Sequence, residues 1–231
     1  MSTMSARGVV VGVAVLVVLG GAVVADRFAV GMAQDVAVDG LRANVQGVTG
    51  DPKIVITGFP FLTQLLAGEL TDVTGRVEGL TFKGVQITDV DVDAEGVTTH
   101  RPYTVHRALL TGSLSTATVE QLLAAKADLH VHLTVDGDRL KATTQLLGSD
   151  LTATLVPRAE HGAIRVKVAD VTLGGVKVDV AALPSGIAKR FNDMAVPVEG
   201  LPDGVVVTGV AVRDGGVRIT ATGTDVTLAA P

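Results

Sequence analysis

Cysteine is absent from the 231 residues, which excludes disulfides, thiol nucleophiles, thiolate metal sites and a lipidated N-terminal cysteine. Tryptophan is also absent, and the aromatic residues are only Phe28, Phe59, Phe61, Phe82, Tyr103 and Phe191. There is no basic run, and the formal net charge is −5. A chain so poor in stacking rings and clustered cations has no footprint for a nucleic acid. What fills these gaps is Val, Thr, Gly and Ala, so the core has to be built from Val and Leu on strands. Length and composition point to one β-rich unit over residues 26–231.

Ahead of that unit, Gly8 to Ala25 is an uncharged apolar run, preceded by Arg7 and closed by Asp26 and Arg27. As a helix its 18 residues would extend roughly 27 Å, close to the hydrocarbon thickness of a bilayer. Residues 1–25 therefore read as a signal peptide or a signal anchor. Val23-Val24-Ala25 supplies the small-residue pattern for cleavage near Ala25, and Arg7 gives the orientation of a protein that faces outward. Both outcomes place the remainder in the extracytoplasmic cell envelope, either anchored by residues 8–25 or released. From Asp26 to Gln46 the spacing of Ala29, Met32, Ala33, Val36, Ala37 and Leu41 predicts an amphipathic helix, with Asp35, Asp39 and Arg42 opposite. Val48 to Pro52 should break it.

The most distinctive stretch is Ile54 to Leu70, I-V-I-T-G-F-P-F-L-T-Q-L-L-A-G-E-L. Ile54 to Thr57 reads as a strand and Gly58 as a sharp turn. A short helix follows, with Pro60 at its first position and Gly68 as a left-handed cap. Phe61, Leu62, Leu65 and Leu66 form one stripe, with Thr63 and Gln64 facing away. Periodicity alone makes that stripe core, since burying it with Phe59 stabilises by on the order of 10 kcal/mol.

Residues 78–99 and 199–220 echo one another with a single gap. Both read as hairpins that turn at a glycine, Asp93–Gly96 and Arg213–Gly216. In each, the apolar alternation changes phase once, which predicts bulges near Thr88-Asp89 and Thr208-Gly209. A second helix, Leu183 to Met194, carries the stripe Leu183, Ile187, Phe191 and Met194. This suggests two helix-plus-hairpin modules, about 54–101 and 181–228. Between them, a helix capped by Thr118 precedes strands marked by Leu129 to Val135, Leu151 to Leu155 and Ile164 to Val168, with turns at Asp136-Gly137-Asp138 and His161-Gly162.

Reactive patterns are sparse. His130 and His132 share a strand face without a third ligand, and Asp89, Asp91 and Asp93 lack the remaining spacing of a calcium loop. His100, His106 and His161 read as surface histidines. Ser113 and Ser115 lie outside any nucleophile elbow. These residues predict no catalytic group, metal or cofactor.

The stretch G-F-P-F-L-T-Q-L-L-A-G, followed by the strand step Thr71-Asp72-Val73, resembles the hallmark of the LmeA-like proteins. Those are actinobacterial cell-envelope proteins described as phospholipid-binding, whose namesake is implicated in lipomannan elongation. The N-terminal apolar segment and the closing Gly223 to Leu228 extend the resemblance over nearly the whole chain. It implies an α+β fold in which a curved, mainly antiparallel sheet wraps short helices around an apolar groove, as in tubular lipid-binding (BPI-like) proteins. In that fold Phe59, Phe61, Leu62, Leu65 and Leu66, with Ile187 and Phe191, would line the groove. Arg101, Arg107, Lys189 and Arg190 are candidate headgroup contacts by charge and position, with plain surface solvation as the competing account. The expected partner is a phospholipid or lipid-linked glycan at a membrane, bound and not transformed, in support of lipoglycan assembly. The competing function is a scaffold that engages an envelope glycosyltransferase.

Overall fold

The computed structural model describes residues 6–127, 129–146, 148–178, 194–196 and 201–228, of which 6–20, 126–127 and 194–196 are described by backbone. Among these residues it is an α+β structure of two open sheets and three helices, and every strand pairing is antiparallel. Helix α1 (Ala6–Asn44) runs unbroken from the apolar segment into the domain. Among the described residues no helix is long and apolar enough to cross a membrane. Most of the run Gly8 to Ala25 lies outside the residues whose side chains are described.

Along α1 the inward face is Asp26, Ala29, Val30 and Ala33, which packs on the strand and short helix that follow. Met32 and Val36, expected on that face, are exposed. Two residues from Val30 is more than half a turn, so once Val30 faces inward Met32 has to face solvent. The helix ends at Asn44, and β1 (Gln46–Thr49) takes up part of the expected break.

The larger sheet has the order β1-β3-β4-β5-β13-β12, with β2 beside β3; its strands are β2 (Lys53–Thr57), β3 (Glu69–Phe82), β4 (Val85–Thr98), β5 (Thr104–Ser115), β12 (Val205–Arg213) and β13 (Gly216–Thr227). Both expected bulges are present, between Thr88 and Asp91 and between Val207 and Gly209. Asp89 takes a left-handed φ of 48° at the first. They keep the apolar positions in phase, and register then aligns Gly75, Val92, Leu110, Ala221 and Val207 in one row across five strands. Ala94, Val105, Val205, Ala221 and Val226 form the core beneath these rows.

The first hairpin departs from expectation. It turns at Lys83-Gly84, and Asp93–Gly96 lies inside β4. Strands on both sides hold β4 through that segment, Ala94 is buried, and Gly96 absorbs the local kink with a φ of 64°. Arg213–Gly216 does turn, between β12 and β13.

Helix α3 (Thr116–Ala127) starts two residues before the expected cap. Ser115 Oγ accepts the Thr118 N–H at 3.1 Å, so Ser115 is the cap and Thr118 is buried. The smaller sheet has the order β10-β9-β8-β7-β6, from β6 (His132–Asp136), β7 (Arg139–Leu146), β8 (Ser149–Glu160), β9 (Ala163–Leu173) and β10 (Val176–Lys177), with β11 (Met194–Val196) beside β9. Leu129 and Val131 precede β6 and do not join it. The second expected helix lies outside the described residues except for Met194, which opens β11. Leu140, Val135 and Leu155 pack on Val210, Val212, Val217 and Ile219, and this contact fastens the smaller sheet to β12 and β13.

Candidate functional site

Helix α2 (Phe61–Ala67) is built where β2, α1 and β3 meet. Gly58 turns the chain at a φ of 95°, and Gly68 closes the helix in the left-handed conformation. Pro60 stands just before the helix in extended backbone, where its ring offers no N–H to the first turn. The Asp26 carboxylate reaches in from α1 and accepts the Leu62 N–H at 2.9 Å. Asp26 is only 2% exposed. Burial alone would push its carboxyl up. The Leu62 N–H, the Arg27 guanidinium at 2.9 Å and the Phe61 N–H outweigh that and hold it below the ordinary carboxylate value.

Gln64 does not face away. Its Nε2 donates to the Thr57 carbonyl at 3.3 Å, and its Oε1 accepts the Thr71 N–H at 2.8 Å. The side chain thus staples α2 across the ends of β2 and β3. Phe61, 3% exposed, is the only residue of α2 in the core, packed with Val30, Ile56, Leu70 and Val73.

The rest of the expected stripe stands outside. Leu62 and Leu65 are exposed, Leu66 is 90% exposed and Phe59 62%. A helix of seven residues that offers Phe61 and Gln64 to the sheet turns its remaining positions outward. Arg27 lies over the Phe59 ring at 5.3 Å, and Phe28 is 70% exposed one position on. At the other end of α2 the Thr99 N–H donates to the Gly68 carbonyl at 2.9 Å, and the His100 ring lies against Gly68. Exposed Arg101 follows directly. The result is an apolar tip with Arg27 over its first ring and the His100 ring at its far end.

Two clefts among the described residues lie elsewhere. One, about 320 Å³, is lined by Asp89, Ser113 and Arg213 among others; the second, about 300 Å³, by Glu69, His106 and Asp225. His106 meets Asp225 at 2.8 Å. Neither cleft includes a residue of α2.

Of the other expected contacts, Arg107 is paired with Glu95 on an exposed face of the sheet, and Ile187, Phe191, Lys189 and Arg190 lie outside the described residues. His132 meets Glu120 of α3 at 3.2 Å, and His130 is exposed just before β6. Asp91 sits between Arg76 at 2.5 Å and Arg218 at 3.1 Å. Sequence reasoning missed Asp26 and Gln64. Asp26 carried a signal, as the first acid after an uncharged run, but its partner lies 36 residues away.

The curated proteins and solved structures compared with the chain yield no match. One family model, described as LmeA-like phospholipid-binding, matches residues 24–222. The match begins two residues before Asp26 and extends into β13, so it takes in the α2 tip and the scaffold that holds it. The chain belongs to the LmeA-like phospholipid-binding family.

Proposed function

We propose that the protein takes up a phospholipid or lipid-linked envelope precursor outside the cytoplasm, shields its acyl chains and passes it on without transforming it. In this reading it supports cell-envelope lipoglycan assembly, tethered through residues 8–25 or released after Ala25. The observation that carries it is the α2 tip: Phe59, Leu62, Leu65 and Leu66 stay exposed in a protein of a phospholipid-binding family. Each such side chain forfeits up to about 2 kcal/mol by facing water, so a surface that keeps several together is suited to an apolar occupant.

The energetics favour carriage over storage. A 16-carbon chain gains on the order of 13 kcal/mol by leaving water, but nearly nothing by leaving a bilayer. Headgroup contacts then decide which lipid is taken; Arg27 lies over the Phe59 ring, and exposed Arg101 follows the His100 that touches Gly68.

Native mass spectrometry of the full chain, incubated with phosphatidylglycerol vesicles, tests the reading. A stoichiometric adduct of phospholipid mass is expected, and Leu65→Asp should reduce it several-fold with circular dichroism unchanged. A persistently clean apo mass would overturn lipid carriage and favour a scaffold that engages an envelope glycosyltransferase.

A further inference from the structure

We propose that the outer face of α2, with Phe59 and Phe28, is a bilayer-docking foot that seats the domain in the interfacial layer of the membrane. The inference rests on the lipid-carrier reading and adds where uptake occurs. Helix α1 is continuous, so the apolar run and the domain share one rod. Asp26 is the first residue past that run, and it holds the N-terminus of α2 directly. Helix α2 therefore starts at the level where the run ends.

The dimensions agree. Seven residues of helix span about 10 Å, and the headgroup layer on each side of a bilayer core is on the order of 5 to 8 Å thick. If the run Gly8 to Ala25, the tether of the proposed function, stands across the hydrocarbon along the bilayer normal, the first turn of α2 lies in that layer. Phe28, three positions past Ala25, is about 5 Å beyond the boundary on the same rod. The residues presented there are Phe28, Phe59, Leu62, Leu65 and Leu66, with Arg27 and Arg101 flanking them. Aromatic rings beside arginines are the composition that settles at the apolar–headgroup boundary; Arg27 is already paired with Asp26, which leaves Arg101 as the cation offered to anionic headgroups. The occupant is thus an anionic bilayer surface, already brought close by α1.

The absence of cysteine makes the test direct. Leu66→Cys and, as a control on the far sheet, Val176→Cys are labelled with an environment-sensitive dye in the full chain. Each is reconstituted into vesicles of phosphatidylcholine and phosphatidylglycerol. Both positions are exposed, so neither change disturbs the core. Emission at position 66 should rise several-fold and be quenched by spin labels near the top of the acyl chains, while position 176 stays aqueous. A label at 66 that reports water overturns the inference, as does one that is buried yet unquenched by lipid, which would place a second copy over α2. A phospholipid adduct alongside an aqueous label would sink the foot and spare the carrier reading. Lipid quenching without any adduct would do the reverse.

Discussion

Phe61 and Leu66 sit on the same seven-residue helix and face opposite environments. Phe61→Ala should lower unfolding free energy by about 3 to 5 kcal/mol in urea titrations, because it empties a site among Val30, Ile56 and Val73. Leu66→Ala should leave it within about 0.5 kcal/mol. Asp91 is the informative charge. The hydrogen bond from Arg76 holds its carboxyl below the ordinary value against the opposing effect of burial, and Arg218 adds to this. A depressed carboxylate stabilises fully above the unfolded value of about 3.9, and that contribution is lost as pH falls through the lower folded value. Asp91→Asn should therefore cost about 1 kcal/mol or less near neutrality, and its melting temperature should converge on that of the parent only as pH falls from about 4 through the lower folded value.

The bulge at Asp89 shows why an element can be read from spacing alone. Val85 and Ile87 alternate in one phase and Val90 and Val92 in the next, and only an extra residue returns both pairs to the same face. Asp89 occupies a left-handed conformation that a β-branched side chain resists. Asp89→Val should destabilise by about 1 to 3 kcal/mol while Asp89→Gly should not, a contrast that thermal unfolding would reveal. Other elements were less legible. Strand β5 escaped notice because Leu109 and Leu110 adjoin and His106-Arg107 interrupts the alternation, so neither strand nor helix period stands out. Its status as a strand comes from β4 and β13 on either side, which are partners distant in sequence. The same holds for α2. Its glycine cap and its turn were plain in the sequence, but which of its apolar residues face inward depends on Asp26 and Gln64 finding β2, β3 and α1.

At the scale of the molecule, the sequence pattern conveyed a strand-rich, mainly antiparallel architecture and left the strand order hidden. The order β5-β13-β12 joins residues more than a hundred positions apart, and the His106–Asp225 pair spans 119. No local period can announce such a neighbour. Residues 216–227 are among the last of the described chain to be synthesised, yet they form an interior strand with β5 on one side and β12 on the other. Before they arrive, both of those strands present a bare edge, and the row through Ala221 has a gap. The larger sheet is therefore completed only when residues 216–227 insert between β5 and β12, whereas the β3-β4-β5 run and the smaller sheet pair neighbours close in sequence.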